Sequence, residues 1–592
     1  VMAPGGATAW VALAGTGEVA ELEVAARALV RRVAVGADVR HLSLTADGAT
    51  LFASRFVTPP VTGEHTLAPQ LVPGGVAEGG IVVALDTSSL AAHDVVLGAS
   101  PGPDAENRGR GVPNYLGPAV VSPDGTSAWV SSKQDNVERG LSRDGLGLTH
   151  DSTVRSITSK IDLTAAAGPV ELAGSRIDHD DGGIARAAVF DATGSYLFVA
   201  LEGSREVAML DVHAGTEVVR IAAGRAPQGV ALSPDDRRLF VHNFLDRSVT
   251  VHDLEAVWNT TSQATPVVAT YDLVASERLA PQVLAGKRLF YDAADGRLAF
   301  QSYVSCASCH HDGAHDGRVW DLAGFGEGLR NTIDLRGRAG LGHGPLHWSA
   351  NFDEVHDFEG QIRALSAGTG LLTDPQFTAT ADPLGAPKAG LSADLDALAA
   401  YVASLDATPA SPHRQPDGAL TPQAVAGRQV FVDAECASCH GGASFTDSAP
   451  GVLHDIGTIT PASGQRLGGP LTGIDTPTLR GVFATAPYLH DGSAATLEAA
   501  VVAHGVALSA PQLADLVAYL EQIDDAEARP PEPPVWTDPG APTLAEGDVV
   551  AFGVTATDPN GASVAYSAVG LPPSLSTDPQ TGVIAGTLGY EE

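Results

Sequence analysis

The segment SYVSCASCHHDG, residues 302–313, contains two cysteines separated by two residues and followed at once by a histidine. The other two cysteines of the chain lie in ECASCHGG, residues 435–442, with the same spacing and the same histidine. Two thiols three positions apart can form thioethers with the vinyl groups of one porphyrin, and the adjacent imidazole then reaches the iron. The pattern therefore predicts two covalently bound haem c groups, held by Cys306, Cys309 and His310 and by Cys436, Cys439 and His440.

Other cysteine chemistries fit this pattern less well. A four-cysteine zinc site places its two C-x-x-C pairs about 15 to 20 residues apart, whereas more than a hundred residues separate the pairs here. A thioredoxin-like motif requires a βαβ context and explains neither histidine. Disulfides stay open as an alternative, although they would make the histidine after each pair a coincidence.

The composition limits the classes of partner. With 592 residues the chain is too long for one core, so we expect roughly three or four domains. Its 35 basic and 70 acidic residues give a formal charge of −35, which disfavours nucleic acid and anionic membranes and favours a basic partner. No apolar stretch is long enough for a transmembrane segment, and no charged-then-apolar leader precedes Val1. Because the chain begins within a pattern, we expect that an earlier segment was removed or lost.

An internal duplication surrounds the two motifs. PQVLAGKRLFYDA (281–293) is similar to PQAVAGRQVFVDA (422–434), and each precedes a C-x-x-C-H. LSADLDALAAYVASLD (391–406) is similar to LSAPQLADLVAYLEQID (508–524), and each follows one. Thr421 and Pro422 form a helix N-cap and N1 pair, and the later segments carry leucines at helical spacing. We therefore predict two all-α cytochrome c domains, at 273–407 and 408–525.

The segment DTPTLRGVFATAPYLHDGSAATLEAAVVAHG (475–505) resembles the C-terminal domain of the bacterial di-haem cytochrome c peroxidases and their relative MauG. The order of motifs from about 276 to 525 is also similar to that family. The resemblance implies that the first haem is the peroxidatic site and that the second passes electrons to it. His310 and His440 match the proximal iron ligands.

The second axial ligand of the second haem departs from the family pattern. The family places a methionine where this chain has His504, and the only methionines here are Met2 and Met209. We therefore expect His440 and His504 to ligate this iron together, which generally lowers the reduction potential relative to a methionine ligand. The alternative is that His504 is a surface histidine.

Two further features are implied by the resemblance. Asn331 matches an asparagine that helps to bind Ca²⁺ between the haems, and Thr476 and Pro477 match its partner segment. Trp348 matches the tryptophan between the haems, where it would relay electrons or serve simply as core packing.

The distal side of the first haem fits the family least. The peroxide-cleaving glutamate of the family falls at ALSAGTGLL (364–372), which contains no carboxylate. A distal acid or base must move the peroxide proton between oxygens, so we expect Glu359, Glu354 or His356 to substitute; the alternative is a solvated acidic face. The loop histidine that caps the resting haem is also missing near 321–328. Either that iron is open, or a displaced histidine caps it, the candidates being His311, His315, His343, His347 and His356.

Residues 1–272 carry a different repeat. Segments 36–56, 116–132, 183–201 and 224–244 each combine a strand, an SPDG-like turn and a second alternating strand. They resemble the YVTN-type repeats of extracellular β-propellers, with roughly five to seven blades. The wider gaps imply inserted loops, such as 59–80 and 133–155, or blades whose repeat signal is eroded. After a proline-rich linker at 526–545, residues 546–592 resemble an Ig-like module of bacterial surface proteins that is short for a complete sandwich.

These features predict a multidomain protein: an all-β propeller, two all-α cytochrome c-like domains and a small β-sandwich. Cytochrome c maturation and surface-type modules together predict a bacterial periplasmic or cell-surface location. The leading hypothesis is reduction of hydrogen peroxide with electrons from a small cytochrome or cupredoxin. The alternatives are MauG-like oxidation of a protein substrate held by the propeller, and a non-enzymatic electron carrier or redox sensor, with a surface partner for the propeller and Ig-like module.

Overall fold

The computed structural model describes residues 1–70, 78–106, 108–259, 262–527, 529–530, 534–537, 539–540, 542–558 and 563–589. Parts of the predicted loop 59–80, linker 526–545 and Ig-like module 546–592 lie outside the described residues. The chain forms two compact units. The first unit contains Val1–Pro412, Ser448–Asp475 and Phe483–Gly505, and the second contains His413–Asp447, Thr476–Val482 and Val506–Glu592. The first unit therefore holds both the predicted propeller and the first haem segment, and the domain boundaries drawn from the sequence stay predictions.

Five antiparallel sheets follow one another along residues 8–272 of the first unit. All four repeats found in the sequence form hairpins, in which the SPDG-like turn joins two paired strands. The strands, sheet by sheet, are β1 (Thr8–Leu13), β2 (Glu18–Glu23) and β3 (Ala28–Ala34); β4 (Val39–Leu44), β5 (Thr50–Arg55), β6 (Gly79–Asp86) and β7 (Ala92–Gly98); β8 (Val112–Asn114), β9 (Ala119–Val121), β10 (Ser127–Asp135), β11 (Val154–Asp162), β12 (Val170–Glu171) and β13 (Ile177–His179); β14 (Ala185–Phe190), β15 (Tyr196–Leu201), β16 (Glu206–Asp211) and β17 (Thr216–Ala222); and β18 (Pro227–Leu232), β19 (Arg238–Asn243), β20 (Ser248–Asp253) and β21 (Val267–Asp272).

The five sheets pack face to face in chain order. Strands β1, β4, β9, β14 and β18 contact one another in succession, which is the arrangement of inner strands in a propeller. Buried apolar side chains fill the spaces between neighbouring sheets, with Trp129 and Leu197 between the third and fourth and Phe198 and Leu239 between the fourth and fifth. Because such a side chain contributes about 1.5 to 3 kcal/mol on burial, these layers give a stable propeller-like stack.

The remaining described elements are short. They are α1 (Glu255–Asn259), α2 (Pro281–Phe290), β22 (Val319–Asp321), β23 (Leu329–Asn331), α3 (Glu359–Ala364), α4 (Asp374–Ala379), α5 (Ala393–Ala403), α6 (Pro422–Asp433), β24 (Gln465–Arg466), β25 (Gly469–Pro470), α7 (Leu497–Ala503), α8 (Ala510–Leu520), β26 (Val535–Thr537), β27 (Val549–Gly553), β28 (Thr555–Thr557), β29 (Leu575–Thr577) and β30 (Val583–Thr587). Within this described part of the chain, no helix has both the length and the apolar character needed to cross a bilayer.

A pair of crossed helices stands beside each C-x-x-C-H segment. In the first unit α2 crosses α5 at Gly286, where an added Cβ would lie 1.8 Å from the carbonyl oxygen of Ala397. In the second unit α6 crosses α8 at Gly427, where an added Cβ would lie 1.8 Å from the carbonyl oxygen of Asp515. Only glycine permits so close a crossing. The two copies therefore share one helix-pair geometry, as the duplicated sequence predicts.

The two helix pairs also have equivalent aromatic contacts, and one predicted helix cap can be checked directly. Phe290 meets Tyr401 edge to face at 5.0 Å between ring centroids, and Phe431 meets Tyr519 at 5.6 Å. The predicted cap of α6 is confirmed, because the Thr421 side chain accepts a hydrogen bond from the Ala424 amide and proline occupies the first turn.

The second unit also contains the described part of the Ig-like segment. Strand β26 pairs with β28, and β27 pairs with β30, which pairs with β29. A small apolar cluster supports them, formed by Val550, Val554, Leu575 and Ile584.

Within the first unit, buried charges join the propeller to the first haem segment. Lys133 of β10 has no exposed surface, and its ammonium lies 2.8 Å from Asp135 and 3.3 Å from Asp316. Arg318 is equally buried and pairs with Glu64 at 3.0 Å. Buried ion pairs of this kind tolerate little displacement, because separating them leaves an uncompensated charge. The propeller and the residues after the first C-x-x-C-H are therefore held in one fixed arrangement.

Candidate haem site

The two C-x-x-C-H segments adopt the same backbone turn. Each begins with a single turn of 3₁₀-helix, at Cys306–Ser308 and at Cys436–Ser438. In each, the amide of the following histidine donates a hydrogen bond of 2.9 Å to the carbonyl of the first cysteine. This turn brings both thiols and the imidazole to neighbouring positions, as attachment to one porphyrin requires.

His310 is fixed through one ring nitrogen. Its Nδ1 lies 3.2 Å from the carbonyl oxygen of Ala314, so Nδ1 carries the proton and the lone pair is on Nε2. Burial lowers the pKa of His310, which favours the neutral imidazole. A neutral imidazole with Nδ1 hydrogen-bonded to a backbone carbonyl is the usual state of a metal-bound histidine. His310 therefore fits the proximal ligand of a haem.

The thiols of the first motif face apolar surroundings. Cys306 packs against the cluster that contains Phe290, Leu398 and Tyr401, and Cys309 packs against a second cluster with Trp320. No disulfide joins any of the four cysteines. Burial raises the pKa of the Cys306 thiol to about 11. These apolar surroundings suit a porphyrin.

Propeller residues donate hydrogen bonds to the backbone of this motif and of the residues after it. The Tyr115 hydroxyl donates a hydrogen bond of 3.0 Å to the carbonyl of Cys309. The Tyr115 ring stacks on Phe56 at 4.5 Å and lies 4.2 Å from the ammonium of Lys133. Asn114 donates to the carbonyl of Asp316 at 2.9 Å. The haem-attachment turn is therefore built partly from propeller residues, a contact that the sequence did not predict.

Trp348 and Asn331 lie together in the first unit. The Trp348 indole donates a hydrogen bond of 2.8 Å to the Asn331 carbonyl, and the Asn331 amide nitrogen donates to the carbonyls of Pro487 and Leu489. The side-chain oxygen of Asn331 is buried and accepts no hydrogen bond. A buried carbonyl oxygen without a donor fits a hard cation such as Ca²⁺.

The other predicted calcium residues, Thr476 and Pro477, belong to the second unit. His440 also lies in the second unit, whereas His504 ends α7 in the first. The His504 side chain is exposed, and its Nδ1 lies 2.8 Å from the Ala500 carbonyl. Grouping of Thr476 and Pro477 with Asn331, and pairing of His440 with His504, stay predictions.

The Glu359 carboxylate is hydrogen-bonded to nearby backbone amides. Its carboxylate has no exposed surface and accepts hydrogen bonds from the Leu371 amide at 2.9 Å, the Leu372 amide at 3.1 Å and Arg363 Nε at 2.8 Å. This pattern is that of a structural carboxylate that fixes the loop after α3. The expectation of a solvated acidic face is wrong at this position, because Glu359 is completely buried.

Glu354 and His356 are engaged in a similar way. Glu354 accepts hydrogen bonds from the amides of Lys388 and Ala389. His356 Nε2 lies 2.9 Å from Asp396, and its Nδ1 lies 3.4 Å from Glu354. Both side chains therefore hold the segment before α5 in place.

A buried polar chain beside Trp348 was not found as a group from the sequence. His347 Nδ1 lies 2.7 Å from the side-chain oxygen of Asn351, and the Asn351 amide donates to Glu327 at 2.6 Å. Glu327 also pairs with Arg330. The sequence named His347 as one of five candidate histidines, but Glu327 and Asn351 have no local pattern that marks them, because their contact joins separate loops.

Comparison with known proteins supports a haem c assignment. Residues 473–505 match a family described as RoxA-like, cytochrome c-like. Hydrazine synthase subunit gamma of Kuenenia stuttgartiensis is 30% identical over 286 residues, which are 40% of this chain and 76% of that protein. Cytochrome c peroxidase Ccp of Escherichia coli (strain K12) is 29% identical over 288 residues, which are 41% of this chain and 58% of that protein. A solved structure of Kuenenia stuttgartiensis hydrazine synthase, pressurized with 20 bar xenon, is 28% identical, covers 42% of this chain and 88% of its own, and has a TM-score of 0.30.

Two C-x-x-C-H turns, each beside crossed helices, define a c-type cytochrome. The matched family and the peroxidase relatives imply haem c as the cofactor. The chain belongs to the family of haem c oxidoreductases that includes the gamma subunit of hydrazine synthase. The propeller-like and Ig-like parts are described by the fold alone.

Proposed function

We propose that this protein is a di-haem c-type oxidoreductase that reduces hydrogen peroxide at the first haem with electrons passed through the second. The observation that carries the proposal is the equivalence of the two C-x-x-C-H turns, each with a helix pair crossed at a glycine. The cytochrome c peroxidase relative supports peroxide as the substrate class. Two haems in one chain suit a two-electron reaction, because each holds one electron.

In this proposal, individual residues of the first unit bind the haem iron, provide an aromatic side chain or bind Ca²⁺. When bound, haem supplies the redox-active iron at which peroxide is reduced. His310 would hold that iron through Nε2, because the Ala314 carbonyl orients its ring through Nδ1. Trp348 provides an aromatic side chain tied to Asn331. The side-chain oxygen of Asn331 is a candidate ligand for Ca²⁺.

The electron donor is proposed from charge. The formal charge of −35 favours a small basic cytochrome or cupredoxin, since complementary surfaces steer association. Covalent haem attachment supports a bacterial periplasmic or cell-surface location. Association with such a donor should weaken steeply as salt is raised.

The test uses the mature holoprotein. Absorption and paramagnetic resonance spectra are recorded before and after addition of stoichiometric hydrogen peroxide. A high-spin ferric signal that disappears on addition, followed by turnover with a reduced cytochrome, is the expected result. Two low-spin centres that do not respond to peroxide would contradict the proposal.

A second candidate is a non-enzymatic electron carrier or redox sensor. Its supporting observation is that Glu359 and Glu354, two of the residues predicted to replace the missing glutamate, both accept hydrogen bonds from backbone amides. The spectra described above separate the candidates, because a carrier is expected to keep both haems saturated.

A further inference from the structure

The histidines around the first haem segment differ in how their two ring nitrogens are used. Three of them have both nitrogens within 3.4 Å of a polar protein atom. These are His311, which meets Glu202 and Asp312, His315, which meets the Ala484 carbonyl and the Gly317 amide, and His356, which meets Asp396 and Glu354. Nδ1 of His311 and of His356 makes no hydrogen bond, but each has a carboxylate within 3.4 Å, and these contacts hold the rings in place.

His347 has a different pattern. The Glu327 carboxylate can only accept, so the Asn351 amide nitrogen must donate to it, and the Asn351 oxygen must then accept from His347 Nδ1. The ring proton is therefore on Nδ1 and the lone pair is on Nε2. The nearest polar partner of Nε2 is the amide nitrogen of Gln361 at 3.5 Å, too long for a strong hydrogen bond.

The backbone at His347 is strained. Its φ is +67°, in the left-handed region that non-glycine residues avoid. The surrounding aromatic rings hold it there, with Phe352 at 4.2 Å and Phe358 at 5.2 Å between ring centroids. Such strain costs about 1 to 3 kcal/mol, and other non-glycine residues of this segment, such as Ala339 and Ala350, share it. The fold therefore maintains the position of this imidazole at a cost.

One face of the helix beside His347 packs in the apolar clusters of the two cysteines. Phe358, Gln361 and Leu365 lie at helical spacing on one face of α3 and its flanking turns. Phe358 packs against the apolar cluster that contacts Cys306, and Leu365 packs in the cluster that contacts Cys309. Gln361, which meets His347, lies between them. His347 therefore contacts a helix whose apolar side chains pack in the clusters of Cys306 and of Cys309.

We propose that His347 is the distal acid–base residue of the first haem, in place of the glutamate that the chain lacks. This deepens the proposed function and rests on it. His347 Nε2 takes the proton from one peroxide oxygen and returns it to the other, which leaves as water when the O–O bond breaks. The overall reaction consumes hydrogen peroxide, two electrons and two protons and gives two waters. The haems supply the electrons, and His347 ends in its starting state.

Asn351 and Glu327 act as positioning residues, because they fix the tautomer of His347. Burial lowers the pKa of His347, although Glu327 opposes the shift, so the neutral imidazole is available as a base. A positioned acid–base group contributes about 10² to 10⁴-fold to rate.

The test variant is His347→Asn, because asparagine tolerates positive φ and has no comparable base. The matched control is His252→Gln, a histidine in the fifth sheet that is 1% exposed and hydrogen-bonded to Thr250. Two reactions of the ferric holoprotein are followed by stopped-flow absorption: binding of cyanide, which must lose a proton as it binds, and one turnover with stoichiometric peroxide.

We expect His347→Asn to slow both reactions by about 10²-fold, with covalent haem content and the resting spin state unchanged, and His252→Gln to match the wild type. Equal cyanide rates in His347→Asn and the wild type would overturn the inference. So would a low-spin to high-spin change in His347→Asn, since His347 would then be an iron ligand. If the wild type binds cyanide but does not react with peroxide, the proposed function fails while the cyanide result still decides the role of His347.

Glu327→Gln tests the positioning chain separately. We expect the rate of cyanide binding in Glu327→Gln to have a different pH profile from the wild type. The reason is that the glutamine side chain at position 327 can donate or accept, so it no longer fixes Asn351 in one orientation. Adding His347→Asn to this variant should still slow cyanide binding. An unchanged pH profile would contradict the role given to Glu327.

Discussion

At the residue scale, Glu359 and Asp374 offer a direct comparison, because both carboxylates pair with Arg363 at 2.8 Å. Glu359 has no exposed surface, whereas the Asp374 side chain is 88% exposed. The Glu359 carboxylate also accepts from two backbone amides. Burial and number of donors, rather than the ion-pair distance, should therefore decide their contributions to stability.

We predict that Glu359→Gln lowers the free energy of unfolding by about 2 to 3 kcal/mol, because a neutral amide cannot satisfy the same buried donors. Asp374→Asn should cost less than about 1 kcal/mol, as exposed ion pairs usually do. Urea unfolding of both variants measures the difference. Equal costs would show that Glu359 is not the structural carboxylate described here.

A second residue-scale prediction concerns acid stability. Burial, together with Arg186, Arg40 and His311, lowers the pKa of His41 to about 3. The unfolded chain binds a proton at His41 below its ordinary pKa of 6.5, and the folded protein does not. The stability contributed by neutral His41 is therefore complete above pH 6.5 and falls by about 1.4 kcal/mol per pH unit as pH drops toward 3.

Between pH 7 and pH 5 the wild type should therefore lose about 2 kcal/mol more than His41→Gln. His213→Gln, at an exposed turn, serves as the control and should behave like the wild type. Urea unfolding at the two pH values measures the effect. Parallel losses in the wild type and His41→Gln would contradict it.

The sequence predicted the haem-attachment residues but not the residues around them. The C-x-x-C-H spacing is set by covalent chemistry within five residues, so it can be recognised without knowledge of the fold. The roles of His347, Asn351 and Glu327 depend on hydrogen bonds between loops, so only an unranked set of histidines could be predicted from the sequence. Glu359 was chosen from its position along the chain, which does not reveal its hydrogen-bond partners.

At the element scale, Gly286 and Gly427 set the two helix crossings. An added Cβ at either would lie 1.8 Å from a carbonyl oxygen of the facing helix. We predict that Gly286→Ala and Gly427→Ala each lower stability by about 1 to 3 kcal/mol or more, because the helices must move apart.

Gly360 is the matched control for these substitutions. It lies within α3 and has no atom within 4 Å of an added Cβ. Gly360→Ala should be neutral or stabilise by up to about 1 kcal/mol. Thermal unfolding monitored by circular dichroism compares the three variants. A neutral Gly286→Ala would show that this crossing is looser than described.

The helices and propeller hairpins were predictable because their signals are local. The duplicated segments gave the two helix pairs, and the SPDG-like turns gave the four hairpins. The packing order of the sheets follows from apolar faces that meet only in the folded chain. Trp129 and Leu197, for example, are far apart in sequence but share one core layer.

At the scale of the whole molecule, Lys133, Asp135 and Asp316 form a buried link between the propeller and the first haem segment. All three side chains have no exposed surface. Burial raises the pKa of Asp135 to about 6. Lys133 and Asp316 are 183 residues apart in sequence, and no local pattern indicates that they meet, so the sequence predicted two separate domains here.

We predict that Lys133→Met lowers the free energy of unfolding by about 3 to 5 kcal/mol, because two carboxylates stay buried without their cation. Lys133→Met combined with Asp316→Asn should recover part of that loss. Lys160→Met, on the neighbouring strand β11 and over the Trp129 ring, should cost less than about 1 kcal/mol. Far-UV circular dichroism and haem absorption should report one shared transition that shifts together. A shift in only one signal would show that the two parts unfold independently.

The account as a whole depends on porphyrin being bound through the four thiols. Intact-mass and peptide-mass analysis of the mature protein tests this most directly. We predict two haem groups per chain, one on the peptide with Cys306 and Cys309 and one on the peptide with Cys436 and Cys439. A mature protein without covalent porphyrin, or with zinc or disulfides at these cysteines, would contradict it.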